Sequence, residues 1–220
     1  MGAASTSGSQ RYLLFDHDGV LVDTEYWYHR AGQRALATIG IDLPTAEYLR
    51  DMNAGNGTWA RAKAAGVSES TIDQLRALRD QWYREYLVTE PIEIPGVLDA
   101  LEELSTRTRM AIVTTAKRAD FEVIHAGRSI AQFMDFVLVR EDYRHAKPHP
   151  EPYLTALDRY KAPKDQALVV EDSARGLSSA VAAGIDCVIV HNDFTQAGDF
   201  SQAQHRISNL AELVDVIDNN

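Results

Sequence analysis

Asp16 and Asp18 stand two residues apart, directly after the apolar run 12–15 and in a stretch turned by Gly19. Carboxylates placed where a buried strand ends are costly unless cations or hydrogen bonds compensate them. Taken alone, such a pair can also be an acidic turn or a local cap. Three more segments give it company: Thr114-Thr115 after the apolar run 110–113, Lys147 in a proline-bounded loop, and Glu171-Asp172 after the apolar run 167–170. Each has a plain structural explanation by itself, as a helix cap, a solvated charge or a helix-entry acid. Together they supply carboxylates, a hydroxyl and an ammonium to one set of strand ends. Converging carboxylates without a cation raise one another's pKa values, so Asp16, Asp18, Glu171 and Asp172 imply a hard divalent ion. An all-oxygen site with few protein ligands suits Mg²⁺. Lys147 and the Thr114 hydroxyl, with turn N–H groups, would then hold phosphate oxygens and neutralise charge in the transition state. One aspartate is left to attack phosphorus.

These residues need elements to position them. From residue 95 onward, helical stretches alternate with apolar runs at 110–114, 136–139, 167–171 and 187–190. Apolar strands without polar alternation, separated by helices, describe a parallel sheet covered on both faces. With the opening strand this predicts a doubly wound α/β core of five strands, whose ligands bind beyond the C-terminal strand ends. Residues 24–93 are helical in pattern throughout. Ser70 with Asp73 resembles a capping box for the last helix there. The expected organisation is a core of 11–23 and 94–220, an all-helical cap of 24–93, and a disordered N-terminus of 1–10.

The net charge of −10 over 220 residues argues against a nucleic-acid or anionic-membrane surface. No apolar run is long enough to span a bilayer. Cys187 is the single cysteine and sits in an apolar run, as a small buried strand residue. The expectation is a cytoplasmic protein, a monomer or weak dimer, whose partner is a small-molecule phosphate ester.

DHDGVLVDT at 16–24, VTTAK at 113–117, AKPHPEPY at 146–153 and VVEDSARGL at 169–177 resemble, in order and spacing, the four motifs of the haloacid dehalogenase superfamily. The likeness is to its phosphatase and phosphomutase branch with a helical cap inserted after the first motif. The resemblance implies that Asp16 is the nucleophile, forming an aspartyl-phosphate, and that Asp18 is the general acid and base. It implies Mg²⁺ on the Asp16 and Asp172 carboxylates and the Asp18 carbonyl, with Glu171 behind them or on a metal-bound water. Thr114 and Lys147 would bind the phosphoryl group, and Thr115 and the turn at 17–19 would lend backbone N–H groups. A carboxylate off the metal can carry a proton at neutral pH, which fits this division between the two aspartates.

Asp18 argues against the dehalogenase branch, which lacks that acid and needs no metal, and against the phosphonate-cleaving branch despite Lys63. The alternative is a sugar phosphomutase resembling β-phosphoglucomutase. Tyr28 stands where that enzyme has a cap histidine, with His29 one residue off, and 53–57 offers no arginine. A phospho-accepting receiver domain is a remoter alternative, too short and without a helical insert. Hydrolysis of a sugar phosphate or of phosphoglycolate is therefore expected. Asn53, Asn56 and Trp59, around the glycine-rich turn of the cap, are the candidate leaving-group contacts. His17 should point away from the two aspartates by strand alternation. His145 and His149 have helical zinc-pair spacing, but Pro148 and Pro150 forbid a helix, so no zinc site is expected.

Overall fold

The computed structural model describes residues 11–218, so the expectation of disorder for 1–10 lies outside it. Its centre is a six-stranded, all-parallel sheet: β1 (Arg11–Phe15), β2 (Thr108–Val113), β3 (Phe136–Leu138), β4 (Ala167–Glu171), β5 (Asp186–Val190) and β6 (His205–Ile207), in the order β3-β2-β1-β4-β5-β6. The sixth strand is an addition to the expected five. It has three residues, of which only Ile207 is buried, so it leaves no apolar run to read. Register places Leu13 opposite Met110 and Leu168, and Phe15 opposite Ile112 and Val170. These side chains share one face with α5 (Val97–Ser105), α6 (Arg118–His125) and α9 (Glu212–Asp218). Leu14, Ala111, Val169 and Cys187 point to the other face, under α7 (Glu151–Tyr160) and α8 (Ala174–Ala183). Both faces are dry, which is why the strands read as unbroken apolar runs.

Chain order runs outward from β1 to β2 and β3, then jumps back across β1 to β4. The direction of winding therefore reverses between β1 and β4. In open α/β sheets a crevice opens outside the strand ends at such a point. Asp16 follows β1 and Glu171 ends β4, so the reversal sets the acidic groups side by side.

Four helices lie between β1 and α5: α1 (Glu25–Ala37), α2 (Thr45–Asn53), α3 (Ala60–Ala64) and α4 (Glu69–Thr89). They have their own core of Leu36, Leu43, Tyr48, Trp59, Ile72 and Leu75. The N-cap of α4 is Ser68, whose hydroxyl accepts from the Thr71 amide at 3.2 Å, and not Ser70 as the box pattern suggested. The two connections to the sheet are tied to each other: the Asp23 amide donates to the Ile92 carbonyl at 2.9 Å, and Val22 bridges to Glu93. Such a paired crossing is where a hinge between insert and sheet would lie.

Candidate active site

Lys147 is the hub of the site. Its ammonium has three N–H bonds and three acceptors: Asp16 Oδ1 at 2.8 Å, Glu171 Oε1 at 2.7 Å and the Val113 carbonyl at 2.8 Å. The side chain is buried, and the residue lies in the loop leading into α7, where its bond to Pro148 is cis. Burial alone would lower its pKa, but the Asp16 and Glu171 charges hold it above the ordinary lysine range. Removing a buried ammonium of this kind would strand two carboxylates.

Glu171 has no free lone pair to offer a ligand. Oε1 also accepts from the Tyr153 hydroxyl at 2.7 Å, and Oε2 from the Ser173 hydroxyl at 3.0 Å and the Asp172 amide at 3.2 Å. Burial pushes its carboxyl up, yet Lys147 and then the Tyr153 hydroxyl carry it below the usual range. Gly176, in the first turn of α8, makes this possible. A Cβ there would fall on the Glu171 carboxylate. Gly176→Ala is accordingly expected to cost about 2 kcal/mol through overpacking, a drop of roughly 4–8 °C in Tm for a chain of this size. A thermal melt superimposing on wild type would contradict the placement.

Asp16 and Asp172 behave differently. Burial and the Glu171 charge push Asp16 up to about 6, against the pull of Lys147. Burial and the charges of Glu171 and Asp16 push Asp172 well above the carboxylate range. Oxygens of Asp16, Glu171 and Asp172 lie within 4.8 Å of one another. Gly19, at φ +83°, keeps the space beside Asp172 open, since a Cβ there would meet the Asp172 carboxylate. Lys147 bonds Asp16 and Glu171 but not Asp172, and Glu171 is already full, so Asp16 and Asp172, beside a backbone without a side chain, fit a hard cation bound through oxygen.

Asp18 faces the insert. Its Oδ1 accepts from the Thr24 hydroxyl, and its Oδ2 from Thr114 Oγ1 at 3.3 Å. Thr114 Oγ1 in turn accepts from the Ala116 amide at 2.9 Å. Burial would raise the Asp18 carboxyl, but the adjacent His17 ring and the Thr24 hydroxyl bring it to about 2. His17 does not point away as alternation suggested: Nδ1 is 3.5 Å from Asp18 Oδ2. The strand ends at Phe15, and the Leu21 and Val22 amides already turn back to the His17 carbonyl. Its Nε2 lies 2.9 Å from His125 Nε2.

Of the insert residues, Asn53 lines a narrow space with Asp16, Asp18 and Asp172. Asn56 sits on an exposed turn, and Trp59 is buried in the insert's own core. The cleft between sheet and insert opens into a cavity of about 340 Å³ lined by Asp18, Glu25, Tyr28, Thr115 and Arg175 among others. A larger one of about 490 Å³ lies outside Gly19, against Asn192 and Phe194, away from Asp16 and Lys147. Turns, not a helix, bring His145 and His149 near Glu151. The Glu151 carboxylate is already engaged by the Arg144 and His145 amides.

The sequence pattern of the haloacid dehalogenase-like hydrolase family matches residues 13–190. The chain belongs to that family. Fructose-1-phosphate phosphatase YqaB of Escherichia coli is 28% identical over 82% of this chain and 97% of its own length. A phosphoglycolate phosphatase of Photorhabdus laumondii is 29% identical over 81% of this chain and 79% of its own. The crystal structure of CbbY from Rhodobacter sphaeroides in complex with phosphate gives a TM-score of 0.79 at 25% identity, over 93% of this chain and 96% of that one. Within the family this chain is a phosphoric monoester hydrolase. Among its described residues no helix is long and apolar enough to cross a membrane.

Proposed function

We propose that the protein hydrolyses a small phosphomonoester, of sugar phosphate or phosphoglycolate type, through a phosphorylated Asp16. The observation that carries this is the arrangement at the reversal between β1 and β4, where one ammonium aligns Asp16 while Asp18 stands apart from it on Thr24 and Thr114. Asp16 and Asp172, with the Asp18 carbonyl, would hold Mg²⁺, and Glu171 supports them from behind because its oxygens are taken. When bound, that ion neutralises phosphoryl oxygens and lowers the Asp16 pKa, so that the nucleophile is fully ionised.

The residues then divide the work. Thr114 holds a phosphoryl oxygen, and Lys147, whose three N–H bonds are taken, keeps Asp16 aligned and lends its positive charge to the phosphoryl group. A carboxylate oxygen of Asp16 forms a bond to phosphorus as the ester P–O bond breaks, and Asp18 delivers its proton to the departing oxygen. The ionised Asp18 next takes a proton from water, the water oxygen bonds to phosphorus, and the Asp16–phosphorus bond breaks to release phosphate. A site that holds Asp18 at about 2 keeps it in the ionised form from which the second step starts. The acid form for the first step would come from the negative charge of the phosphoryl group arriving beside it.

The substrate-free insert would close on the ester, excluding water and contacting the leaving group. Sustained release of phosphate from a panel of phosphate esters, stopped by a chelator and restored by Mg²⁺ but poorly by Ca²⁺, is the expected result. Phosphate transfer to a sugar acceptor with no net release would favour the mutase reading. A single stoichiometric phosphorylation would favour the receiver-like one. Mg²⁺ added to chelator-treated protein should also raise Tm, and Asp172→Ala should abolish that shift; an equal shift in the variant would place the ion elsewhere.

A further inference from the structure

Three cations line the cavity of about 340 Å³ between sheet and insert: Lys117, Arg140 and Arg175. Two are committed. Lys117 Nζ reaches Asp80 Oδ2 at 2.5 Å, while Arg140 donates to the carbonyls of Tyr143 at 2.9 Å and Arg144 at 3.3 Å. The acids around them have partners too: Glu25 accepts from the Tyr48 hydroxyl at 2.7 Å, and Asp120 from Arg84 at 2.8 Å. Arg175, on the first turn of α8, is half-buried and makes no hydrogen bond or close ion pair with any described residue, while against the effect of burial the charges of Glu25 and then Asp16 hold its pKa above the ordinary arginine range. A guanidinium has five donors in a planar fork that matches a carboxylate or phosphate, and in Arg175 none of the five is taken by a hydrogen bond to a described residue.

Its position says which part of a substrate it would meet. Arg175 and Asp18 share both the narrow space beside Asp16 and the wider cavity beyond it. The transferring phosphoryl group belongs with Asp16, Thr114 and Lys147, and the departing oxygen belongs beside Asp18. Whatever occupies the wider cavity is therefore the leaving group. We infer that Arg175 binds an anionic group carried by the leaving group, a carboxylate or a second phosphate, so that the preferred substrates are phosphate esters with a charged leaving group. This rests on the phosphomonoesterase reading above and narrows its substrate class. At about 340 Å³ the cavity is near the lower end of ligand pockets, which suits a leaving group of a few carbons.

Calorimetric binding of phosphonates in the presence of Mg²⁺ tests this without turnover. Methylphosphonate carries only the group that mimics the ester. Phosphonoacetate adds a carboxylate, and propylenebisphosphonate adds a second phosphonate. Wild type is expected to bind one of the two doubly anionic probes at least about tenfold tighter than methylphosphonate, as a bidentate charge-assisted contact allows. The tighter of the two identifies the anion. Arg175→Gln should erase that preference, and Arg175→Lys, which keeps charge but loses the fork, should restore part of it; the lysine variant serves if the glutamine one does not fold. An equal loss for all three probes would put Arg175 on the transferring group and overturn the inference, as would a wild type with no preference. Failure of wild type to release phosphate from any ester would instead sink the phosphatase reading, and the calorimetry would still judge Arg175.

Discussion

Asp16→Asn is expected to lower kcat by on the order of 10⁴-fold or more, because no other group can form the covalent intermediate. The fold should survive. Lys147 keeps Glu171 and the Val113 carbonyl as acceptors, and an asparagine carbonyl can replace the Asp16 oxygen at 2.8 Å. The exchange also removes a carboxylate whose burial beside Glu171 raises its pKa to about 6. Relief of that repulsion offsets the weaker contact with Lys147, so Tm should stay near wild type. Steady-state hydrolysis and a thermal melt on the same preparation check both halves. Retention of a tenth of wild-type activity would remove Asp16 as nucleophile; collapse of the melt would make the loss of activity uninformative, and Asp16→Glu, ionised but displaced along the same direction, would then be the deciding variant.

The family and the core of the site were legible because the reacting groups follow apolar strands, and dry strands leave unbroken runs in the sequence. Asp16 and Glu171 abut Phe15 and Val170, which pack on one face of the sheet. What sequence did not reveal were features without a periodic trace. β6 is a short edge strand with one buried residue. Trp59 stands in a glycine-rich neighbourhood that suggested a ligand contact, yet it fills the insert's core beside Leu36 and Leu43, a packing choice made by tertiary neighbours. Ser70 matched a capping pattern, but the helix begins earlier, at Glu69, where Ser68 is the cap. The His17 ring followed the turn and not the strand. Arg175 was the costliest omission. One arginine at a helix start looks like any solvated charge, and its place in the cavity beside Asp18 and Glu25, with its donors free of hydrogen bonds to described residues, exists only once the chain is folded.

Asp18→Asn separates the two half-reactions. Removing a positioned general acid and base should reduce turnover by about 10²–10⁴-fold, less than loss of the nucleophile. The two steps need not suffer equally. A leaving group of low pKa departs with little protonation, so an aryl phosphate should still phosphorylate Asp16 in the variant, whereas attack of water keeps its need for a base. The aspartyl-phosphate should then accumulate, visible as added phosphoryl mass on the intact protein after acid quench. With an alkyl phosphate, whose oxygen needs the proton, the first step should fail as well and no adduct should appear. Structure makes this a fair test. Asp18 is held by the Thr24 and Thr114 hydroxyls, which can rotate to meet an amide, and it takes no bond from Lys147. An adduct from both esters, or from neither while hydrolysis falls equally for both, would detach Asp18 from proton transfer and leave it a role in holding Thr24 at the start of the insert.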